Sequence, residues 1–157
     1  MEYNVKKWVN MVQEKNVFEL FEQLDIKCTS VGKIDSEKVA FLQKHCPNLF
    51  NQIKGRTIIM WKDRIEHLKK HGYETVGMSV EKMCSLIPEI IDKPDYLGIK
   101  KKDLTIQFIK RYSDNMIVVV RMDNKGRLLF RSMYTITESQ LSDYLRKGSA
   151  WEFTLDK

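Results

Sequence analysis

Two imidazoles four residues apart, His67 and His71, sit in the stretch Thr57–Gly72, TIIMWKDRIEHLKKHG, and carry the most suggestive chemistry in the chain. The β-branched run Thr57–Met60 predicts a strand that passes directly into a helix ending at Gly72. With about 100° per residue, Trp61, Ile65 and Leu68 share one apolar arc, while His67 and His71 flank Arg64 on the other side. The helix then presents an apolar stripe to a core and a His-His-Arg stripe along its rim, where an imidazole can be partly desolvated and still reach a ligand, as proton transfer near neutral pH requires. The same residues also have a plain reading. Lys69, Lys70 and His71 before Gly72 complement the helix dipole and form an ordinary stop signal.

Cations on later strands complete the candidate set. In MIVVVRM and LLFRSMYTI, the groups Arg121, Arg131, Ser132 and Tyr134 interrupt otherwise apolar runs. A period of two puts Leu128, Phe130, Ser132 and Tyr134 on one face and Arg131 and Met133 on the other. A cation ending a central strand, such as Arg121, is usually paired or functional, and its plain reading is a salt bridge to Asp123 or a place at the exposed strand end.

Other chemistries lack their residues. No Walker or Rossmann glycine loop, HExxH or GxSxG is present. His67 and His71 have no third ligand at zinc spacing, so neither a metal nor a cofactor is expected. Cys28, Cys46 and Cys84 are odd in number and form no CxxC pair, which argues against disulfides and zinc fingers, and Cys46 reads as a buried small residue.

The net charge of +6 favours an anionic partner, nucleic acid above all. Most of the excess lies in residues 92–157, with 13 Lys/Arg against 9 Asp/Glu. No apolar run approaches the ~20 residues of a membrane span, and Met1–Asn4 lacks a signal-peptide layout. These features predict a cytoplasmic protein that does not enter a membrane. At 157 residues the chain can bury a core without metal or disulfide staples.

The elements that must position these groups follow in order. Val5, Trp8, Val9, Val12, Val17, Phe18, Phe21 and Leu24 predict an amphipathic helix over 1–25, with a break at Cys28–Gly32. Asp35 or Ser36 caps a second helix, interrupted at Pro47. After the strand–helix unit, Ser79 caps a helix containing Pro88, where a kink or two short helices are expected. Tyr96–Ile99 is a short strand candidate, and Lys100–Lys102 reads as a solvated basic turn. Thr105–Tyr112, Met116–Met122 and Leu128–Thr135 form an antiparallel meander joined by polar turns. A capping box at Thr137–Gln140 opens a last helix, and Trp151–Phe153 closes the chain. The fold class is α+β: a helical region over 1–55, then over 56–157 a strand–helix–helix unit, an antiparallel sheet of about four strands and a C-terminal helix.

This arrangement, from RTIIMWKDRIEHLKKHG through SVEKMCSLIPEIIDKPDYLGI to LTIQFIKRY, MIVVVRM and LLFRSMYTI, resembles the phage-encoded branch of the barnase–EndoU–colicin–RelE-like nucleases over roughly Arg56–Phe153. The resemblance implies a small α+β ribonuclease of toxin type, with RNA (tRNA among the candidates) as substrate and an immunity or antitoxin protein as partner. It implies a catalytic helix histidine at His71, or else His67. Its basic strand residue would be Arg121, or Lys110 or Arg111, and its late-strand hydroxyl Ser132, followed by Tyr134. Metal-free RNA cleavage through the 2′-OH fits those groups: a His moves protons, Arg121 and Arg131 hold phosphate oxygens, and Tyr112 or Tyr134 stacks a base. Two other readings stand beside this one. One is a non-catalytic module of the same shape that holds nucleic acid or an acidic protein, and the other is an adaptor that docks through its helical first third.

Overall fold

In the computed structural model the described residues are 16–72 and 77–153, with only the backbone of His71 and Gly72 included. The expected helical positions Val5, Trp8, Val9 and Val12 lie outside them. Within them run α1 (Val17–Gln23), β1 (Cys28–Lys33), α2 (Ser36–His45), β2 (Thr57–Trp61) and α3 (Asp63–His67). Then come α4 (Val80–Asp92), β3 (Tyr96–Lys100), β4 (Thr105–Arg111), β5 (Asn115–Met122), β6 (Leu128–Ile136), α5 (Glu138–Arg146) and β7 (Ala150–Glu152).

The strands form one seven-stranded sheet in the order β1-β2-β6-β5-β4-β3-β7. Every neighbouring pair is antiparallel except β2 and β6, which run parallel. The α+β class and the β4–β5–β6 meander match expectation, but the sheet is wider than four strands for three reasons. Strand β2, expected in a separate strand–helix–helix unit, joins the sheet parallel to β6. The segment Cys28–Gly32, expected as a break, is a strand whose alternating burial lets it pair with β2. Ala150–Glu152 adds to the far edge beside β3. The β1–β2 pairing therefore crosses position 55.

One face of the sheet carries the main core. Val118, Val120, Phe130, Met133, Ile106 and Phe108 meet Met83, Ile87 and Ile90 of α4 and Val39 and Leu42 of α2. Pro88 lies inside α4 without splitting it, because it is exposed while Met83, Cys84, Ile87, Ile90 and Ile91 hold the helix down. Burial pushes the Cys84 thiol up to about 12, which leaves it inert. Cys46 is only half-buried. The opposite face is covered in part by α5, whose Leu141 packs on Ile109, Ile117, Ile136 and Ala150. Among the described residues no helix is long and apolar enough to cross a membrane.

Candidate active site

Strand β2 pairs with β6 only at Ile58↔Leu128 and Ile59↔Leu129. It then turns into α3, which runs beside the rest of β6 and buries Ile65 and Leu68 in the main core. Arg64 and His67, on the neighbouring arc, are half-buried at its rim, as the helical wheel predicts. His67 Nε2 lies 3.3 Å from Ser132 Oγ across the helix–strand junction. Arg64 donates from Nη1 to the Arg131 carbonyl at 3.3 Å and pairs with Asp63 at 3.3 Å, so it ties α3 to β6 at that point.

The α-helix widens after His67 into a π-helical turn, Leu68–Gly72. Bonds to the fifth residue advance each position by less than the α-helical angle. The wheel that placed His71 beside His67 therefore does not hold past Leu68. The His71 side chain lies outside the described residues.

The faces of β6 differ from a simple alternation. Val119 pairs with Ser132 and Val120 with Phe130, which leaves Arg131 as the extra residue of a β-bulge. A bulge re-aims side chains and shifts the parity of the strand. Ser132 and Tyr134 thereby share the α5 face with Arg121 and Leu129, while Phe130 and Met133 point into the main core. The expected grouping of Phe130 with Ser132, and of Arg131 with Met133, is corrected accordingly. Arg121 and Arg131 line a shared hollow of ≈ 270 Å³ with Met122, Asp123, Asn124 and Leu129.

Neither Arg121 nor Arg131 has a carboxylate partner among the described residues. Asp123, the near candidate for Arg121, instead accepts from Arg127 Nε at 2.8 Å. Burial, and then the guanidinium groups of Arg64 and Arg121, hold Arg131 below its ordinary value, with Asp63 opposing them. Arg131 thus stands near two further guanidiniums, one residue along β6 from the His67–Ser132 contact. Tyr134, one pleat from Ser132, is half-buried against Ile117 and Ile136, and burial followed by the neighbouring Tyr144 raises its hydroxyl above the usual range.

The other strand candidates lie elsewhere. Thr105 pairs with Arg121 and Arg111 with Asn115, so Arg111 stands roughly 20 Å along β4 from the hollow. There Arg111 donates to Tyr96 OH at 3.1 Å and pairs with Glu138 at 3.4 Å. Lys110 donates to the Lys93 carbonyl at 2.8 Å, and Tyr112 OH donates to Glu89 at 2.8 Å. All three have structural partners at the opposite end of the strand. Among the described residues no three His, Cys, Asp or Glu side chains gather as a metal-ligand set.

Arg121 and Arg131 line a small hollow whose wall also carries Asp123, and His67 meets Ser132 on the adjoining stretch of β6, where α3 joins the sheet. Residues 29–143 match the family described as phage-Barnase-EndoU-ColicinE5/D-RelE like nuclease3, and the chain belongs to that family. Comparisons with curated proteins and with solved structures found no match. Membership makes this a protein of a nuclease family, and nucleic acid is the substrate class that membership supports.

Proposed function

We propose that the protein is a metal-independent endoribonuclease of toxin type whose reaction centre is His67, Ser132, Arg131 and Arg121. The observation that carries this reading is the approach of His67 Nε2 to Ser132 Oγ, one residue from Arg131, whose guanidinium shares a hollow with that of Arg121. The substrate's own 2′-OH is the nucleophile. It attacks the adjacent phosphorus, its proton leaves to a base, and the 5′-oxygen departs with a proton from an acid, giving a 2′,3′-cyclic phosphate. His67, neutral before the step, accepts the 2′-OH proton, and the departing 5′-oxygen takes its proton from water. Arg121 and Arg131 bind the non-bridging oxygens as charge grows on them. The Ser132 hydroxyl fixes the imidazole's orientation, and Tyr134 offers a ring edge beside it. Arg64 acts as a positioning residue through the Arg131 carbonyl.

Between the two histidines this reading selects His67 as the functional one, because its partner is in place. An immunity or antitoxin protein covering the cationic face belongs to the same proposal, since an exposed ribonuclease would damage its own cell.

The test is incubation of the pure protein with mixed RNA in EDTA. Cleavage is expected, with a loss of roughly 10²–10⁴-fold in His67→Ala. Salt-dependent RNA binding with no cleavage, unchanged by that substitution, would instead select the non-catalytic binding module.

A further inference from the structure

The hollow does not hold all the unpaired positive charge at this end of the sheet. Lys100 pairs in register with Thr105, and Thr105 with Arg121, so Lys100 and Arg121 stand on one face two strands apart, about 10 Å. Beyond Lys100 the chain makes a 3-10 turn, Lys101–Asp103, closed by Leu104 at φ 49°, a left-handed conformation that a leucine rarely adopts. That tight turn draws Lys101 and Lys102 toward Lys147 at the end of α5. Together with Lys100 they line a concavity of ≈ 490 Å³ over Trp151.

No carboxylate among the described residues pairs with any of these four lysines. The carboxylate within the concavity, Asp103, accepts from the Thr105 hydroxyl at 3.2 Å. A purely solvated basic turn would spread its charges outward, whereas here two separate segments bring theirs into one concave surface.

We infer that Lys100, Lys101, Lys102 and Lys147 form a flanking subsite for the phosphodiester backbone of the same RNA strand that is cleaved at the hollow. The inference rests on the ribonuclease reading for the identity of the strand. Lysines suit such a subsite because they are flexible point charges that neutralise phosphates without reading sequence. The protein therefore gains affinity with strand length and does so regardless of base order.

The experiment uses the full chain carrying Lys101→Gln, Lys102→Gln and Lys147→Gln together. Binding of a labelled single-stranded oligoribonucleotide is measured across salt in a His67→Ala background, so that the strand is not consumed. The triple variant is expected to bind about tenfold more weakly and to lower the slope of log Kd against log salt by about two, at ~0.7 per lysine on single strands. With His67 restored, the kcat/KM advantage of the oligoribonucleotide over a dinucleotide shrinks by a similar factor. Lys44→Gln, a charge loss on α2, changes neither reading. An unchanged slope overturns the subsite, as does an equal loss of turnover on dinucleotide and oligoribonucleotide, which would place the lysines at the reaction centre. Failure of the protein to cut any RNA would overturn the ribonuclease reading instead, and the binding arm would still decide the role of the lysines.

Discussion

At the scale of single residues, the site depends on charges left without partners. Asp123 is held by Arg127 and Asp63 by Arg64, so no carboxylate among the described residues pairs with Arg121 or Arg131, and on the proposed reading their donors meet the phosphate. Arg131→Ala is expected to lower kcat by about 10²–10³-fold while leaving Tm nearly unchanged, and Arg131→Lys to recover little because an ammonium lacks the planar fork. Steady-state kinetics with a melting curve for each variant checks both. His71→Ala, by contrast, should retain most of the activity that His67→Ala loses. The sequence marked both imidazoles and both arginines, because cations that interrupt apolar runs stand out. It did not separate His67 from His71, since that choice depends on the hydroxyl that α3 meets across the sheet edge.

At the scale of elements, the legible parts were those set by local pattern: β2 running into α3, the β4–β5–β6 meander, and the capping box of α5, whose Thr137 and Gln140 bond reciprocally. Three features escaped. The bulge at Arg131 leaves no mark in composition, yet it decides which face Ser132 joins. The π-helical turn after His67 ends the regular wheel. Strand β1 has too little hydrophobic alternation to announce itself and exists through its pairing with β2. The turn between β5 and β6 supplies a stability test. Gly126 has φ 81°, and a Cβ there would lie 2.6 Å from the Gln52 carbonyl oxygen, in a turn that also accepts from Lys54 N–H at 3.0 Å. Gly126→Ala should destabilise by about 1–3 kcal/mol and lower Tm by several degrees.

At the scale of the whole molecule, the two sheet faces divide the work: α2 and α4 build the core on one, and the other is left partly open beside α5 for the cations. The layer around α2 gives the protein a distinct acid response. His45 stacks on Trp151 with ring centroids 3.9 Å apart, and burial, followed by the charge of Lys44, holds its pKa below the ordinary 6.5. The unfolded chain therefore binds the proton more readily, and stability present above pH 6.5 declines as pH falls below it. Burial alone would raise Asp35, but hydrogen bonds from the Lys38 side chain and amide outweigh it and hold the carboxyl below 3.8, so its contribution is lost only as pH falls through that lower value. Thermal melts are expected to show a first loss below about pH 6.5 that His45→Asn flattens, and a second, more acidic loss that Asp35→Asn removes, the amide oxygen keeping the cap while the ion pair with Lys38 is lost. The sequence carried the charge excess and the fold class, but not the juxtaposition of Arg121 with Lys100 across two strands, which strand order determines.

The central claim is that an imidazole and two guanidiniums at the end of β5 and β6 drive attack by RNA's own 2′-OH. It is tested most directly by end-group identification on fragments released from RNA in EDTA. The account predicts 2′,3′-cyclic phosphate and 5′-hydroxyl ends whose yield collapses in His67→Ala. Fragments with 5′-phosphate ends, or cyclic ends formed equally well without His67, would contradict it.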